Sequence, residues 1–252
     1  MTVATPQVNG PIALKNVAAF MALATKLIDR APHLPGIGVC YGPSGYGKTY
    51  ASIFAQNKTR AARVEVGESW TRSAFLDAIL FELGEPRRGT VAAMAERVKA
   101  SLARNARRPL IIDEADKIVD KGYIELVREI QDHSGAPVIL IGEEKLPSKL
   151  ERIERVANRV LDWMPVQPCD IEDTEHLARA FCPNVTIAPE LLDEIRRQSQ
   201  GRARRIAVNL SRVLDIARNL GVQHVDRSAW GRSEFYTAKA PRERGDRDLA
   251  VG

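Results

Sequence analysis

Residues 42–49, Gly-Pro-Ser-Gly-Tyr-Gly-Lys-Thr, have the residue types and the spacing of a phosphate-binding loop. Glycines let a backbone turn its N–H groups toward phosphate oxygens, and the amino end of a following helix adds a positive partial charge. At this spacing the Lys48 ammonium reaches the β- and γ-phosphates of a nucleotide, and the Thr49 hydroxyl ligates Mg²⁺. We therefore predict a site for ATP and Mg²⁺, whose nucleotide contacts are Gly42, Pro43, Ser44, Gly45, Tyr46, Gly47, Lys48, Thr49 and Tyr50.

Two adjacent acids in the stretch LIIDEAD supply the second half of such a site. The apolar residues before Asp113 predict a buried strand, which puts Asp113 at a carboxyl strand end, where open α/β sheets bind their ligands. A carboxylate at that place holds the magnesium shell, and Glu114 beside it orients and deprotonates the attacking water. The letters DEAD also spell a helicase motif, but such helicases need two sheet domains, and 252 residues leave room for one.

The elements that must position these residues alternate between strand and helix. Four segments are predicted as strands, at residues 36–41, 62–67, 108–116 and 136–144, of which 36–41 and 108–116 are predicted to be buried. Helical periodicity predicts helices at residues 11–30, 48–56, 71–84, 90–105, 123–135 and 146–161. This alternation predicts an α/β fold with a parallel sheet that is covered on both faces.

The pattern changes after Pro168. Residues 170–220 contain three helix-like segments and no convincing strand, which predicts a small all-α lid domain. The last residues are charged and poor in apolar side chains, which is typical of a disordered tail. The predicted domains are an amino-terminal helix and linker at 1–35, an α/β nucleotide-binding domain at 36–167, a helical lid at 168–236 and a disordered tail at 237–252.

Composition is that of a globular protein, with 44% hydrophobic and 27% charged residues. No apolar stretch approaches the length of a transmembrane helix, and we expect no membrane partner. The three cysteines are odd in number and widely separated, which favours reduced thiols and a cytoplasmic location. A net charge of +5 is a mild indication of binding to a polyanion.

With its two nucleotide motifs the chain resembles the AAA+ ATPases over about residues 10–220. The resemblance implies a first sensor at the end of the fourth strand, where this sequence offers Glu143, the candidate, or Glu144 in place of the family's usual Asn, Thr or Ser. It implies an arginine finger that acts on the nucleotide of a neighbouring subunit, with Arg159 as the best match and Arg155 as the runner-up. It also implies a second sensor, Arg204, which ends a Gly-x-x-Arg motif and touches the γ-phosphate.

Within that family the short lid and the stretch VILIGEEKL look most like the DNA transposition ATPases of the phage Mu B protein type. This resemblance implies a homo-oligomer, as a ring or helical filament, on double-stranded DNA in the cytoplasm of a bacterium or a phage-infected host. It also implies delivery of target DNA to a transposase. Loops in the second and third βα units of AAA+ assemblies often face the central channel, where basic residues would track phosphates without reading sequence. The candidate DNA contacts are Arg87, Arg88, Lys99, Lys117 and Lys121.

Two other functions remain open at this point. One is a helicase-loader or replication-initiation ATPase, which would bind a hexameric helicase. The other is a nucleotide switch in a signalling or toxin system, in which DNA has no role. ATP-dependent filaments on duplex DNA would favour the transposition function, and a stable complex with a helicase would favour the first alternative.

Overall fold

The computed structural model describes residues 14–238, which divide into two compact units at Asp170. The α/β unit comprises residues 14–169 and the helical unit residues 170–238. The start of the first predicted helix and residues 239–252 of the predicted tail lie outside the described residues. Within residues 14–238 no helix combines the length and the apolar composition that crossing a bilayer requires.

The α/β unit contains the elements α1 (Lys15–Ile28), β1 (Ile37–Tyr41), α2 (Lys48–Thr59), β2 (Ala62–Glu65), α3 (Arg72–Leu83), α4 (Val91–Ala103), β3 (Leu110–Asp113), α5 (Asp116–Asp120), α6 (Ile124–Ser134), β4 (Val138–Gly142), α7 (Leu146–Glu151), α8 (Glu154–Ala157) and β5 (Val160–Pro165). The helical unit contains α9 (Ile171–Phe181), β6 (Thr186–Ile187), α10 (Pro189–Gln198), α11 (Ala203–Leu220), β7 (His224–Val225) and α12 (Arg227–Trp230).

The strands of the α/β unit form one parallel sheet in the order β2-β3-β4-β1-β5. All residues of β3 and β4 and nearly all of β1 are buried, as continuous apolar runs predict for strands covered on both faces. In register, Cys40 on β1 pairs with Ile141 on β4, and Leu140 on β4 pairs with Ile112 on β3. The α/β fold is therefore confirmed. Because the three strands are parallel, the segments that follow them all begin at the same end of the sheet, where the strands have their carboxyl ends.

The strand β5 was not predicted. Helical periodicity predicted a single helix over residues 146–161, but α7 and α8 are short and the chain then extends alongside β1. Most residues of β5 are only half buried, as in an edge strand, so its apolar pattern is weak. Pairing with β1 prevailed over local periodicity because it satisfies the backbone groups on the open edge of that strand.

The helix α1 packs against this sheet, on β1, β5 and α2. Phe20, Leu23 and Leu27 on one face of α1 are buried. This helix was predicted as a separate amino-terminal segment, whereas its buried apolar face packs on the strands and on α2, the elements that border the nucleotide loop.

The helical unit contains two short strands as well as helices. Thr186 and Ile187 of β6 pair in parallel with His224 and Val225 of β7, so the prediction of an all-α domain is corrected in this detail. Two residues per strand give no periodicity that a sequence pattern could reveal. The three predicted helices of this unit correspond to α9, α10 and α11.

Candidate nucleotide-binding site

The loop of residues 42–47 connects the carboxyl end of β1 with the amino end of α2. Gly42, Gly45 and Gly47 have positive φ angles of 143°, 87° and 87°, a region that favours glycine because a Cβ is strained there. A Cβ on Gly42 would also lie 2.6 Å from a methyl carbon of Val166. Around Gly47, apart from the glycine and its immediate chain neighbours, no atom of the described residues lies within 4 Å of a Cβ position. The backbone at this end of the loop is thus open to a ligand.

The Lys48 ammonium lies across the loop, where it donates hydrogen bonds to the carbonyl oxygens of Gly42 at 2.5 Å and Pro43 at 2.9 Å. Burial lowers the pKa of Lys48, and nearby negative charges, among them Glu143 and Asp113, act in the opposite direction. The structure therefore brings the predicted phosphate-binding lysine and the predicted strand-end acids into one electrostatic neighbourhood.

Asp113 ends β3 and is 3% exposed. One carboxylate oxygen accepts a hydrogen bond from the backbone N–H of Glu114 at 3.0 Å. The other accepts one from the guanidinium of Arg63 on β2 at 2.8 Å. Sequence reasoning missed Arg63, although Arg63 and Glu65 alternate with apolar residues in the stretch ARVEVG, a signal that their side chains share one face of the strand.

Glu114 has a φ of +59°, which is uncommon for a residue other than glycine and costs about 1–3 kcal/mol. Its side chain is 46% exposed, and one carboxylate oxygen lies 3.6 Å from the Lys117 ammonium. The unusual backbone angle turns the chain directly after the buried Asp113. Two adjacent acids thus have different environments, one buried and paired and the other accessible to water.

Glu143 directly follows β4, and its side chain is exposed. Its backbone N–H donates a hydrogen bond to the carboxylate of Asp116 at 2.7 Å. The same carboxylate lies 3.2 Å from the Lys149 ammonium, and a Cβ on Gly142 would lie 2.2 Å from it. Asp116, the last acid of DEAD, therefore holds the end of β4 in place, a role that sequence reasoning did not assign.

Asn16 on α1 is a second residue that sequence reasoning missed. It is 6% exposed, and its side-chain amide donates hydrogen bonds to the carbonyl oxygens of Tyr46 at 2.9 Å and Gln167 at 2.8 Å. Its amide oxygen accepts one from the backbone N–H of Gln167 at 2.9 Å. An amide among the apolar residues of α1 was the available signal, because a buried polar group requires partners. Asn16 fixes the nucleotide loop to the segment after β5.

Arg159 lies near the amino end of β1, at the end of the sheet opposite to the nucleotide loop. Its carbonyl oxygen accepts a hydrogen bond from the backbone N–H of Ile37, the first residue of β1, whereas the nucleotide loop follows the last. Its guanidinium pairs with Asp132 at 2.7 Å. The structure thus does not bring Arg159 to the loop of its own chain. Arg155 on α8 is exposed and has no ion pair among residues 14–238.

Arg204 lies in the first turn of α11 in the helical unit, with an exposed side chain. The turn before it contains two residues with positive φ, Gln200 at 55° and Gly201 at 64°. The neighbouring Arg205 donates a hydrogen bond to the Gln200 side chain at 3.0 Å. The role of Arg204 as a second sensor stays a prediction.

One of the candidate DNA contacts is corrected by its burial. Lys99 on α4 is 6% exposed, and its ammonium lies 2.6 Å from Glu96 and 2.8 Å from Glu129. A lysine that is buried between two carboxylates does not line a channel. Sequence spacing placed Lys99 on a helix but did not show that its side chain faces α6.

Lys117 and Lys121 bind the loop between β2 and α3. The Lys117 ammonium donates a hydrogen bond to the carbonyl oxygen of Val66 at 3.0 Å. The Lys121 ammonium donates hydrogen bonds to the carbonyl oxygens of Glu68 and Trp70. Both charges therefore have backbone partners that a DNA phosphate would have to displace.

Arg87 and Arg88 lie in the loop between α3 and α4 and are exposed. The Arg87 guanidinium is 5.1 Å from the centre of the Phe81 ring and 3.4 Å from the Asp77 carboxylate. Exposed pairs of this kind contribute little and leave the arginine available. Of the five candidates, these two are the most accessible to a polyanion.

The residues at the loop fit ATP and Mg²⁺. Three glycines with positive φ, a lysine on the loop and the amino end of the twelve-residue helix α2 form a cradle for phosphates. Mg²⁺ in nucleotide sites typically takes one or two protein ligands and shares the substrate's phosphates. Thr49 and Asp113 are the residues that would hold it.

Comparison with known families and structures agrees with this geometry. Residues 31–150 match the family described as an AAA domain. The search of curated proteins finds no match. The sheet and the loop together form the P-loop AAA+ fold, as the solved structures below show.

Three solved structures illustrate the likeness of fold. The Aeropyrum pernix ORC2 protein, solved as ADPNP–ADP complexes, is 17% identical with a TM-score of 0.63, over 85% of this chain and 65% of that chain. The Aeropyrum pernix ORC1 protein in complex with DNA is 18% identical with a TM-score of 0.62, over 89% and 65%. The Thermotoga maritima RuvB Holliday junction branch migration motor is 17% identical with a TM-score of 0.60, over 86% and 67%. This chain thus spans about two thirds of the length of these proteins.

Proposed function

We propose that the protein is an ATPase whose bound nucleotide controls its binding to double-stranded DNA. The observation that carries the first part is the grouping of Lys48, Asp113 and Glu114 at one edge of the sheet, next to a loop of glycines with positive φ. The AAA-domain match and the ADPNP and ADP bound to the ORC2 protein support it.

In the proposed reaction a water molecule attacks the γ-phosphorus of ATP, the bond to the bridging oxygen breaks, and ADP and phosphate result. The exposed Glu114 carboxylate accepts the proton of that water. Lys48 and the loop N–H groups stabilise the charge on the phosphate oxygens. Thr49 and Asp113 would hold Mg²⁺, which would supply further charge neutralisation at the phosphates.

Two substitutions test the proposed ATPase. Lys48→Ala should abolish ATP binding, because the phosphates lose their cation. Glu114→Gln should keep ATP affinity and lower hydrolysis by about 10²–10⁴-fold, because an amide of the same shape accepts no proton. The measurements are equilibrium binding of a fluorescent ATP analogue and steady-state phosphate release. Lys58→Ala, an exposed lysine on the same helix, is the control and should change neither. Hydrolysis by Glu114→Gln at the wild-type rate would show that another group is the base.

The DNA part of the proposal rests on two observations. The exposed Arg87 and Arg88 give the α/β unit an accessible basic loop, and the ORC1 protein, which shares the fold, was solved in complex with DNA. A few phosphate contacts in each subunit, multiplied by ATP-dependent oligomerisation, would give binding that does not depend on sequence.

Delivery of DNA to a transposase remains one hypothesis for the downstream step, and the comparisons contain nothing particular to transposition. The fold likeness to ORC proteins gives slight support to the replication-initiation alternative. Pull-down of the ATP-bound Glu114→Gln variant with a purified transposase or with a hexameric helicase separates the two. Binding to neither, together with no binding to DNA, would favour the signalling switch.

A further inference from the structure

Arg63 is an arginine inside the parallel sheet, at the second position of β2. Its strand neighbours Ala62 and Val64 are buried in the apolar core on one face. Because side chains alternate along a strand, Arg63 and Glu65 lie on the other face, which α2 covers. The Arg63 side chain is only 12% exposed, so its charge has little access to water.

The contacts of Arg63 join the two residues proposed to hold Mg²⁺. One terminal nitrogen lies 2.8 Å from the buried carboxylate of Asp113, and Nε donates a hydrogen bond to the Ser52 hydroxyl at 2.8 Å. The Ser52 hydroxyl in turn donates to the carbonyl oxygen of Thr49 at 2.7 Å. The second carboxylate near Arg63, that of Glu65, is more distant at 3.2 Å and is 60% exposed.

The positive charge of Arg63 repels a metal cation that would bind to Asp113. A guanidinium carries a positive charge in proteins. Asp113 is 3% exposed, and water therefore screens the pair weakly. A divalent ion that approaches Asp113 meets a carboxylate whose charge is already balanced, as well as the repulsion of the guanidinium. The phosphates of a nucleotide would bring the negative charge that offsets this repulsion.

We propose that Arg63 lowers the affinity of Asp113 and Thr49 for free divalent cations. The site then binds a metal ion only together with a nucleotide. The proposal rests on the proposed nucleotide site and adds a regulation to it: the metal binds with the phosphates and not before them. Arg63 is a positioning residue in this scheme, since it acts on the metal through Asp113. If Arg63 only stabilised the structure of the site, its removal would weaken the binding of divalent cations and not strengthen it.

The test measures Mn²⁺ binding to the full chain by the loss of the free-ion electron paramagnetic resonance signal, without nucleotide and with ADP. Wild-type protein should bind Mn²⁺ at this site at least about tenfold more weakly without ADP than with it. Arg63→Gln, which removes the charge, should bind Mn²⁺ without nucleotide about tenfold more tightly than wild type. Arg63→Lys keeps the charge and should resemble wild type.

Two controls assign the change to the pair. Glu65→Gln removes the exposed carboxylate and should leave Mn²⁺ affinity unchanged. Arg63→Gln combined with Asp113→Asn should lose the gained affinity, because the carboxylate that attracts the ion is gone. Arg63→Met serves as a second charge-free variant, and circular dichroism shows which of the two retains the fold.

Three results would overturn the proposal: Mn²⁺ affinity of the charge-free variants equal to or below that of wild type, a gain that survives Asp113→Asn, or tight Mn²⁺ binding by wild type without nucleotide. The last of these results is measured on the wild-type protein, so it does not depend on whether a variant folds. Binding of a fluorescent ATP analogue in excess chelator is measured in parallel. Failure of the wild type to bind that analogue, with or without metal, overturns the proposed function instead.

Discussion

At the scale of single residues, the site depends on side chains held against their neighbours at close range. Asp116 accepts a hydrogen bond from the Glu143 backbone and lies where a Cβ on Gly142 would be. Glu114 follows the buried Asp113 with a left-handed backbone angle. Each of these features fixes where the chain leaves a strand. The edge of the sheet therefore presents its acids in fixed positions before a ligand binds, which limits the reorganisation that the reaction requires.

Cys40, the residue of β1 next to Tyr41, provides a pH-dependent prediction. Burial raises the pKa of the Cys40 thiol to about 12, from its ordinary value of 9.0. Because the pKa is higher in the folded protein, this contribution to stability is complete below pH 9 and is lost as the pH rises from about 9 to about 12. By pH 10 the unfolding free energy should fall by about 1.4 kcal/mol through this group.

The measurement is urea unfolding at pH 8 and pH 10 for wild type and for Cys40→Val. Valine fills a similar volume and does not titrate, so the variant should lose about 1.4 kcal/mol less between the two pH values. The other titrating groups are common to both proteins, so the difference reports the thiol together with its electrostatic coupling to Lys48. An identical fall in wild type and variant would contradict the prediction.

At the scale of elements, the site lies at the carboxyl ends of three neighbouring strands and depends on one helix. The strands β3, β4 and β1 lie side by side and parallel, which brings Asp113, Glu143 and the loop at 42–47 together. The helix α1 then fixes that loop through Asn16. The loop thus depends on an element that precedes it and on the segment after β5.

Asn16→Ala tests this arrangement. The substitution removes three partly buried hydrogen bonds to the backbone groups of Tyr46 and Gln167, and we expect a loss of about 1–3 kcal/mol in unfolding free energy. Nucleotide affinity should fall as well, because part of the binding energy would be spent on ordering the loop. Urea unfolding and titration of a fluorescent ATP analogue measure the two effects. Asn158→Ala, at an exposed asparagine, is the control, and equal stability of both variants would show that Asn16 does not hold the loop.

At the scale of the whole molecule, the proposed function requires subunits to combine. Arg159 lies at the sheet edge away from its own nucleotide loop, as a residue that acts on a neighbour's nucleotide would. Its partner Asp132 has a second ion pair with Arg128 at 2.6 Å, so that removal of Arg159 leaves no unpaired carboxylate. Arg87 and Arg88, between α3 and α4, are two accessible basic residues that an assembly would bring together in several copies.

We predict that Arg159→Ala binds ATP but does not hydrolyse it, and that mixing it with Lys48→Ala restores part of the activity. The mixed assembly joins an intact loop from one subunit to an intact arginine from the other. Phosphate release at varied mixing ratios measures the rescue, and hydrolysis by wild type should rise with protein concentration. Arg155→Ala is made alongside. If Arg155→Ala loses hydrolysis while Arg159→Ala retains it, the finger is Arg155.

We predict that ATP tightens binding to duplex DNA of any sequence and that this binding weakens steeply with salt. Replacing Arg87 and Arg88 with alanine should lower affinity on all sequences alike and reduce the salt slope by about two units. Arg104 and Arg107, exposed arginines near the other end of α4, provide a control pair with the same change in charge. The experiment is a salt titration with and without a non-hydrolysable ATP analogue. No ATP-dependent binding by wild type at low salt would remove DNA from the proposed function.

The sequence by itself determined the nucleotide loop, the acids that end β3 and the alternation that makes the fold α/β. These features are local: a loop motif spans eight residues, and a buried strand is a short apolar run that is visible without its partners. Gly84 likewise ended its helix as predicted, with a φ of +74°, because a left-handed cap requires only the residue itself.

Only the tertiary structure decided which distant residues meet. It paired Arg63 with Asp113 and Asn16 with Gln167, added β5 to the open edge of β1 and buried Lys99 between two acids. A pattern of apolar residues shows which positions are buried but not what they touch. Polar side chains inside such a pattern find their partners through packing between elements, over sequence separations that no local spacing encodes.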